Sequence, residues 1–235
     1  MPVRVRKGAA KKTRRPRRTT RTESPAARKS RAGRLIRGLR RLHPDSHCAL
    51  RHSNALELLV ATILSAQCTD ERVNRVTPSL FERYQAAADY ASADVAELQE
   101  LIRSTGFFRN KTKSIIGLGR GLVEHHAGEV PDRMEQLVAL PGVGRKTANV
   151  LLGTWFGQPA IPVDTHVTRL SARLELTDET DAVKIEFALQ KLFARKDWTF
   201  SSHALIWHGR RVCKARKPAC EICGLSVDCP FAAGS

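Results

Sequence analysis

Four cysteines crowd into the last part of the chain with the spacing C-x6-C-x2-C-x5-C: Cys213, Cys220, Cys223 and Cys229. Four thiolates this close can surround one metal centre, and the single x2 pair suits either zinc or iron. Zinc sites usually use two C-x2-C pairs. With one such pair and two singly placed cysteines, the spacing favours an iron–sulfur cluster and leaves zinc open. The N-terminus lacks an apolar secretory segment, so a disulfide framework is the weaker reading. Between the first two cysteines lie Lys214, Arg216 and Lys217. A loop pinned at both ends would present these cations rigidly, as phosphate contacts require.

A second chemical centre lies in Leu137–Ala148, LVALPGVGRKTA. Pro141 ends one helix, Gly142 and Gly144 permit a tight turn, and another helix starts at once. Free N–H groups at a helix start bind anions. Between two apolar helices of a basic chain, the turn reads as a helix–hairpin–helix that grips a nucleic-acid phosphate without reading sequence. Lys146, in the first turn of the second helix, is either a further phosphate ligand or a nucleophile. A nucleophilic lysine must be neutral, and the helix N-terminus, neighbouring Arg145 and partial desolvation all favour that form. Asp164, in AIPVDTHV (160–167), follows an apolar run and precedes a helix. It reads as an N-cap, and also as an acid partner for Lys146. His166 reads as structural.

The elements that position these groups are helical. Leu35, Ile36, Leu39 and Leu42 share one face, and Leu56–Leu64 is a dense apolar run. Ser92 is expected to cap a helix carrying Val95, Leu98, Leu101 and Ile102, ended by Gly106. Ile115–Val123 suggests another. Asp132 is expected to cap a short helix with Met134 and Leu137, and Arg145–Phe156, Val167–Leu174, Ala182–Phe193 and Ser202–Val212 follow. Ala160–Val163 is the only strand candidate. The expectation is an all-α chain of nine or ten helices.

Charge is uneven. The net +17 divides into +12 on residues 1–32, with 13 Lys/Arg against Glu23, and +5 on the remainder. A basic chain of this kind points to a polyanion, of which nucleic acid is the commonest, or to a solubilising tail. Residues 1–32 hold few large apolar side chains and are expected to be disordered. No run approaches the roughly 20 apolar residues of a membrane span, so no membrane partner is expected. The absence of a signal argues for an intracellular protein, and the expected location is cytoplasmic and nucleoid-associated.

Together LPGVGRKTANV (140–150), VDTH (163–166), LSAQ (64–67) and the four-cysteine ending resemble the endonuclease III family, from about residue 34 to 230. The resemblance implies two all-α domains: a six-helix domain with the helix–hairpin–helix over 48–158, and a [4Fe–4S] domain formed by 33–47 and 159–235. Duplex DNA bearing damaged bases or abasic sites would lie across the cleft between them. It implies a monomeric DNA glycosylase and abasic-site lyase of base excision repair, acting on oxidised pyrimidines. Lys146 would form a Schiff base with the sugar, with Asp164 in support, and Cys213, Cys220, Cys223 and Cys229 would hold the cluster. Gly142, Gly144 and Arg145 would meet the phosphate backbone. Gln67 matches the residue that fills the hole left by the flipped base. Phe107 falls where the family carries a bulky wedge, typically leucine; adjacent Phe108 is the alternative, with Phe107 then in the core. Cys68 receives no chemistry.

Three other readings compete. An adenine glycosylase of the same fold lacks the lysine and carries a further C-terminal domain, so it is disfavoured. A pyrimidine-dimer glycosylase keeps both catalytic residues. A non-catalytic DNA-binding module would use the hairpin and tail as anchors.

Overall fold

The computed structural model describes residues 23–234. Eleven α-helices follow one another: α1 (Pro25–Leu42), α2 (Ala55–Leu64), α3 (Asp70–Arg83), α4 (Ala87–Ala91), α5 (Val95–Ile102), α6 (Phe108–His126), α7 (Met134–Ala139), α8 (Arg145–Thr154), α9 (Thr165–Arg173), α10 (Ala182–Leu192) and α11 (Trp198–Arg211). No strand occurs among the described residues, and Ala160–Val163 is plain extended chain. The all-α expectation holds. The helix count is higher than expected, because α3 and five-residue α4 occupy residues 70–91, where the sequence pattern suggests no helix. The segment 48–158 thus carries seven α-helices rather than six.

Apolar side chains sort into two cores. The first runs from Leu50 to Ala160 and includes Leu58, Leu59, Leu64, Leu98, Ile115, Leu118 and Leu151, each at most 1 % exposed. The second joins Ala32, Leu35, Ile36 and Leu39 of α1 to residues between Ile161 and Leu225. Each fully buried leucine contributes about 1.5–3 kcal/mol relative to its exposed state. The apolar run of α2 is buried almost all round, from Leu58 to Leu64, as its continuous hydrophobicity implies. The chain passes from one core to the other between Ala160 and Ile161, just before Asp164.

Three expectations need correction. The ordered chain begins before residue 33: Ser24 caps α1, accepting from the Ala27 N–H at 3.2 Å, and Pro25 opens the helix. Arg31 is 7 % exposed, bridging Glu23 at 2.9 and 2.7 Å and donating to the Leu174 carbonyl at 2.6 Å. Composition hid this, since Ala, Arg and Lys are good helix formers and that carbonyl lies far along the chain. The remainder of the expected disordered tail, residues 1–22, lies outside the described residues. Ser92 closes α4, and Asp94 caps α5 through the Glu97 N–H at 2.8 Å. At α7 the cap position is Arg133, with no side-chain cap, while the Asp132 carbonyl accepts from Gln158 at 2.8 Å. No described helix is long and apolar enough to cross a membrane.

Candidate active site and cysteine cavity

A cleft of about 540 Å³, counting its open mouth, lies where the two cores meet. Lys146 and Val150 of α8 line one wall with Thr62 of α2; Asp164, His203 and Trp207 line the other. The two groups picked out for chemistry therefore face one space from opposite cores.

Lys146 stands in the first turn of α8. The preceding corner turns on Gly142, whose φ of +78° favours glycine, and on a Val143 N–H bond to the Leu140 carbonyl at 3.1 Å. Crowding adds a second reason: a Cβ on Gly142 would lie 2.6 Å from that of Ser114. Gly142 and Gly144 are both exposed, and Gly144 is the N-cap of α8 without a side chain to occupy the helix start. The first N–H groups of α8 are left for an anion. Lys146 is exposed and makes no hydrogen bond or ion pair within the described residues. Its charge acts on nearby Cys48, whose thiol is pushed up chiefly by burial.

Asp164 does cap α9, its Oδ1 accepting from the Val167 N–H at 2.8 Å. His166 packs behind it, with Nδ1 3.1 Å from Arg169 Nη2, and burial lowers its pKa. His203, also lining the cleft, is held down to about 4 by burial and then by His47, so it is neutral at physiological pH.

Arg145 does not point where it was expected. Its guanidinium makes a two-pronged bond to Glu186 of α10, 2.8 Å on each prong, and stacks 4.9 Å from the Phe187 ring centroid. Glu186 is 3 % exposed. The pair ties α8 to the second core, so Arg145 is a strut and its charge on Lys146 is largely offset. A second strut, Arg210 to Asp70 at 2.6 Å, joins α11 to α3 beside the same cleft. With Arg210 paired, Lys146 is left as the unpaired member of the Lys and Arg side chains lining the cleft.

Gln67 and Phe107 occupy two exposed turns, and both have left-handed backbone, φ +52° and +49°. Phe107 is 62 % exposed, whereas Phe108 packs against the first core. The exposed ring is therefore Phe107.

Cys213, Cys220, Cys223 and Cys229 line one cavity of about 370 Å³, counting its mouth. Burial first, and then the other cysteines of the set, raise the thiols of Cys223 and Cys229. No three His, Cys, Asp or Glu side chains among the described residues converge tightly enough for a single ion. A lining of four cysteine sulfurs is the donor set of an iron–sulfur cluster or of a zinc site. Arg173 holds this loop, donating to Cys213 Sγ at 3.1 Å and to the Lys214 and Ala215 carbonyls at 2.8 and 2.9 Å. His208 Nε2 lies 3.4 Å from Cys223 Sγ. Lys214, Arg216 and Lys217 are exposed on the loop and form no ion pair among the described residues. Sequence reasoning missed Arg173, Glu186 and Arg210, whose partners are distant in the chain; only their basic or acidic character on amphipathic helices was visible.

Residues 60–195 match the family described as HhH-GPD superfamily base excision DNA repair protein. Endonuclease III of Synechocystis is 54 % identical over 211 residues, 89 % of this chain and 96 % of that protein. Endonuclease III of Bacillus subtilis is 48 % identical over 189 residues, 80 % and 86 % of the two chains. Among solved structures, one described as a non-covalent endonuclease III–DNA complex superposes with a TM-score of 0.83 at 43 % identity, covering 87 % of this chain and 96 % of that one. The cleft, its lysine and the hairpin agree with these relatives, and the chain belongs to the HhH-GPD superfamily and, within it, to the endonuclease III family.

Proposed function

We propose that the protein is a base-excision DNA glycosylase and abasic-site lyase that removes oxidised pyrimidines from duplex DNA. The observation that carries this is the unpaired Lys146 lining one cleft together with Asp164, the two coming from helices of different cores. The two cores are read as two domains, 48–158 and 33–47 with 159–235, and duplex DNA as lying across the groove between them. Gly142 and Gly144 offer backbone N–H groups to a phosphate, and Lys214, Arg216 and Lys217 offer charge from the other side.

The damaged nucleotide must leave the stack, because its sugar carbon C1′ is unreachable inside the duplex. Gln67 fills the space left and Phe107 wedges beside it. The neutral amine of Lys146 attacks C1′ and the base departs with the glycosidic electron pair. Asp164 stabilises the positive charge that develops on the sugar. Loss of the amine proton and ring opening give a Schiff base, and its acidified C2′ proton leaves as the 3′-phosphate is expelled. The strand is thereby nicked.

Cys213, Cys220, Cys223 and Cys229 would hold a [4Fe–4S] cluster, which when bound supplies a structural tie for the cationic loop. Purified protein is expected to be yellow-brown and to contain iron and acid-labile sulfide in equal amounts. Colourless protein carrying zinc would overturn the cluster assignment. The enzymatic reading is tested by borohydride. The protein incubated with a duplex containing one abasic site is expected to become covalently attached to the DNA on reduction. DNA-binding protein that yields no adduct would be a binding module instead.

A further inference from the structure

Left-handed backbone at a residue other than glycine costs roughly 1–2 kcal/mol. Among the described residues the chain accepts that cost at five exposed positions, Gln67, Phe107, Ala127, Glu175 and Lys217, of which Gln67 and Phe107 are the two expected to enter the duplex. Something must hold each turn in place. The turn at Gln67 follows the end of α2 at Leu64; the turn at Phe107 follows a short 3-10 helix, Arg103–Thr105, and Gly106. Both helix ends leave carbonyls without a helical partner.

One side chain meets both. Lys111, in the first turn of α6, is 4 % exposed. Its Nζ donates to the Leu64 carbonyl at 2.8 Å and to the Thr105 carbonyl at 2.8 Å. Lys111 makes no ion pair among the described residues, which is unusual for so buried an ammonium. The carbonyl at the C-terminal end of α2 and that of the 3-10 turn replace the missing carboxylate. Burial lowers its pKa, as expected of a cation held by dipoles alone. A lysine kept only to fill the core would be better replaced by an apolar residue of its length. The cost of burying charge here goes into linking two turns that are otherwise separated by about forty residues of chain.

We propose that Lys111 is a positioning residue whose buried ammonium locks the Gln67 turn to the Phe107 turn, so that filler and wedge enter the duplex as one unit. The proposal rests on the reading of Gln67 and Phe107 as the groups that replace and wedge the extruded base. Locking matters for extrusion of a paired base and matters less where no base remains to be extruded.

Lys111→Met preserves length and removes the donors. In single-turnover assays it is expected to slow release of a paired damaged pyrimidine by about tenfold or more, equivalent to one helping of about 1.4 kcal/mol. Nicking at a pre-formed abasic site in the same duplex is expected to change by less than about threefold, under half that energy. Leu98→Ala, made in the same core and 0 % exposed, controls for lost stability and is expected to affect the two reactions equally. Combined with Phe107→Ala, Lys111→Met is expected to add little, because both act on one unit. Equal losses in both reactions, or no loss in either, would overturn the proposal. If Gln67→Ala and Phe107→Ala leave release of a paired base unchanged, the underlying reading falls and the proposal with it. If they slow it and Lys111→Met does not, the proposal alone falls.

Discussion

Replacing Lys146 with alanine is expected to abolish borohydride trapping and to reduce base release by a factor on the order of 10⁴ to 10⁶, the range lost with a covalent nucleophile. The fold has no stake in this side chain. Lys146 is exposed, lies in the first turn of α8 and bonds to nothing within the described residues. Alanine is the best helix former, so α8 persists. Lysine at this position has two candidate duties, gripping a phosphate and attacking a sugar, and alanine removes both. Arginine separates them. Lys146→Arg keeps a positive charge and hydrogen-bond donors but is never neutral in a protein. If Lys146 only grips DNA, the arginine variant regains most activity. If it attacks C1′, the variant binds abasic duplex and remains inert. Substantial turnover by Lys146→Arg would remove the Schiff base from the mechanism.

The parts of the site that could be read from the sequence were those built from consecutive residues. The corner at Pro141–Gly144 carries its own instructions: a helix-ending proline, a glycine at φ +78° and a helix start. Asp164 was visible as a cap because caps precede helices. The cysteines were visible because their spacing is short. Periodicity located most of the helices, since the cores that bury them reward one apolar face. What stayed hidden was held by partners far away in the chain. Arg145, beside the lysine it was expected to influence, is turned aside by Glu186, 41 residues on. Arg31 sits in a stretch of basic residues that composition assigns to a disordered tail, yet its guanidinium reaches Leu174. Lys111 looks like any surface lysine near a helix start, and only the fold brings two orphan carbonyls to it. Local chemistry names the reacting groups; long-range polar contacts decide which neighbouring charges remain free.

Asp164→Asn is expected to lower base release by about 10² to 10⁴, the range for loss of one positioned acid–base or electrostatic group. Affinity for an abasic duplex is expected to persist. The substitution is informative because Asp164 holds two posts at once. Its Oδ1 caps α9 through the Val167 N–H at 2.8 Å, and its carboxylate shares the cleft with Lys146. Asparagine caps a helix about as well as aspartate, so the start of α9 keeps its bond and geometry. What disappears is the negative charge that would meet a cationic sugar. Asp164→Ala supplies the complement, losing cap and charge together. Lost capping costs about 1 kcal/mol, which for a chain of this size is about 2–4 °C in Tm. The expected pattern is a lowered Tm for alanine only and a comparable loss of base release for both. Should Asp164→Asn turn over like the unsubstituted protein while Asp164→Ala fails and melts early, the carboxylate is a cap and nothing more. The charge opposite Lys146 would then have to come from the DNA itself.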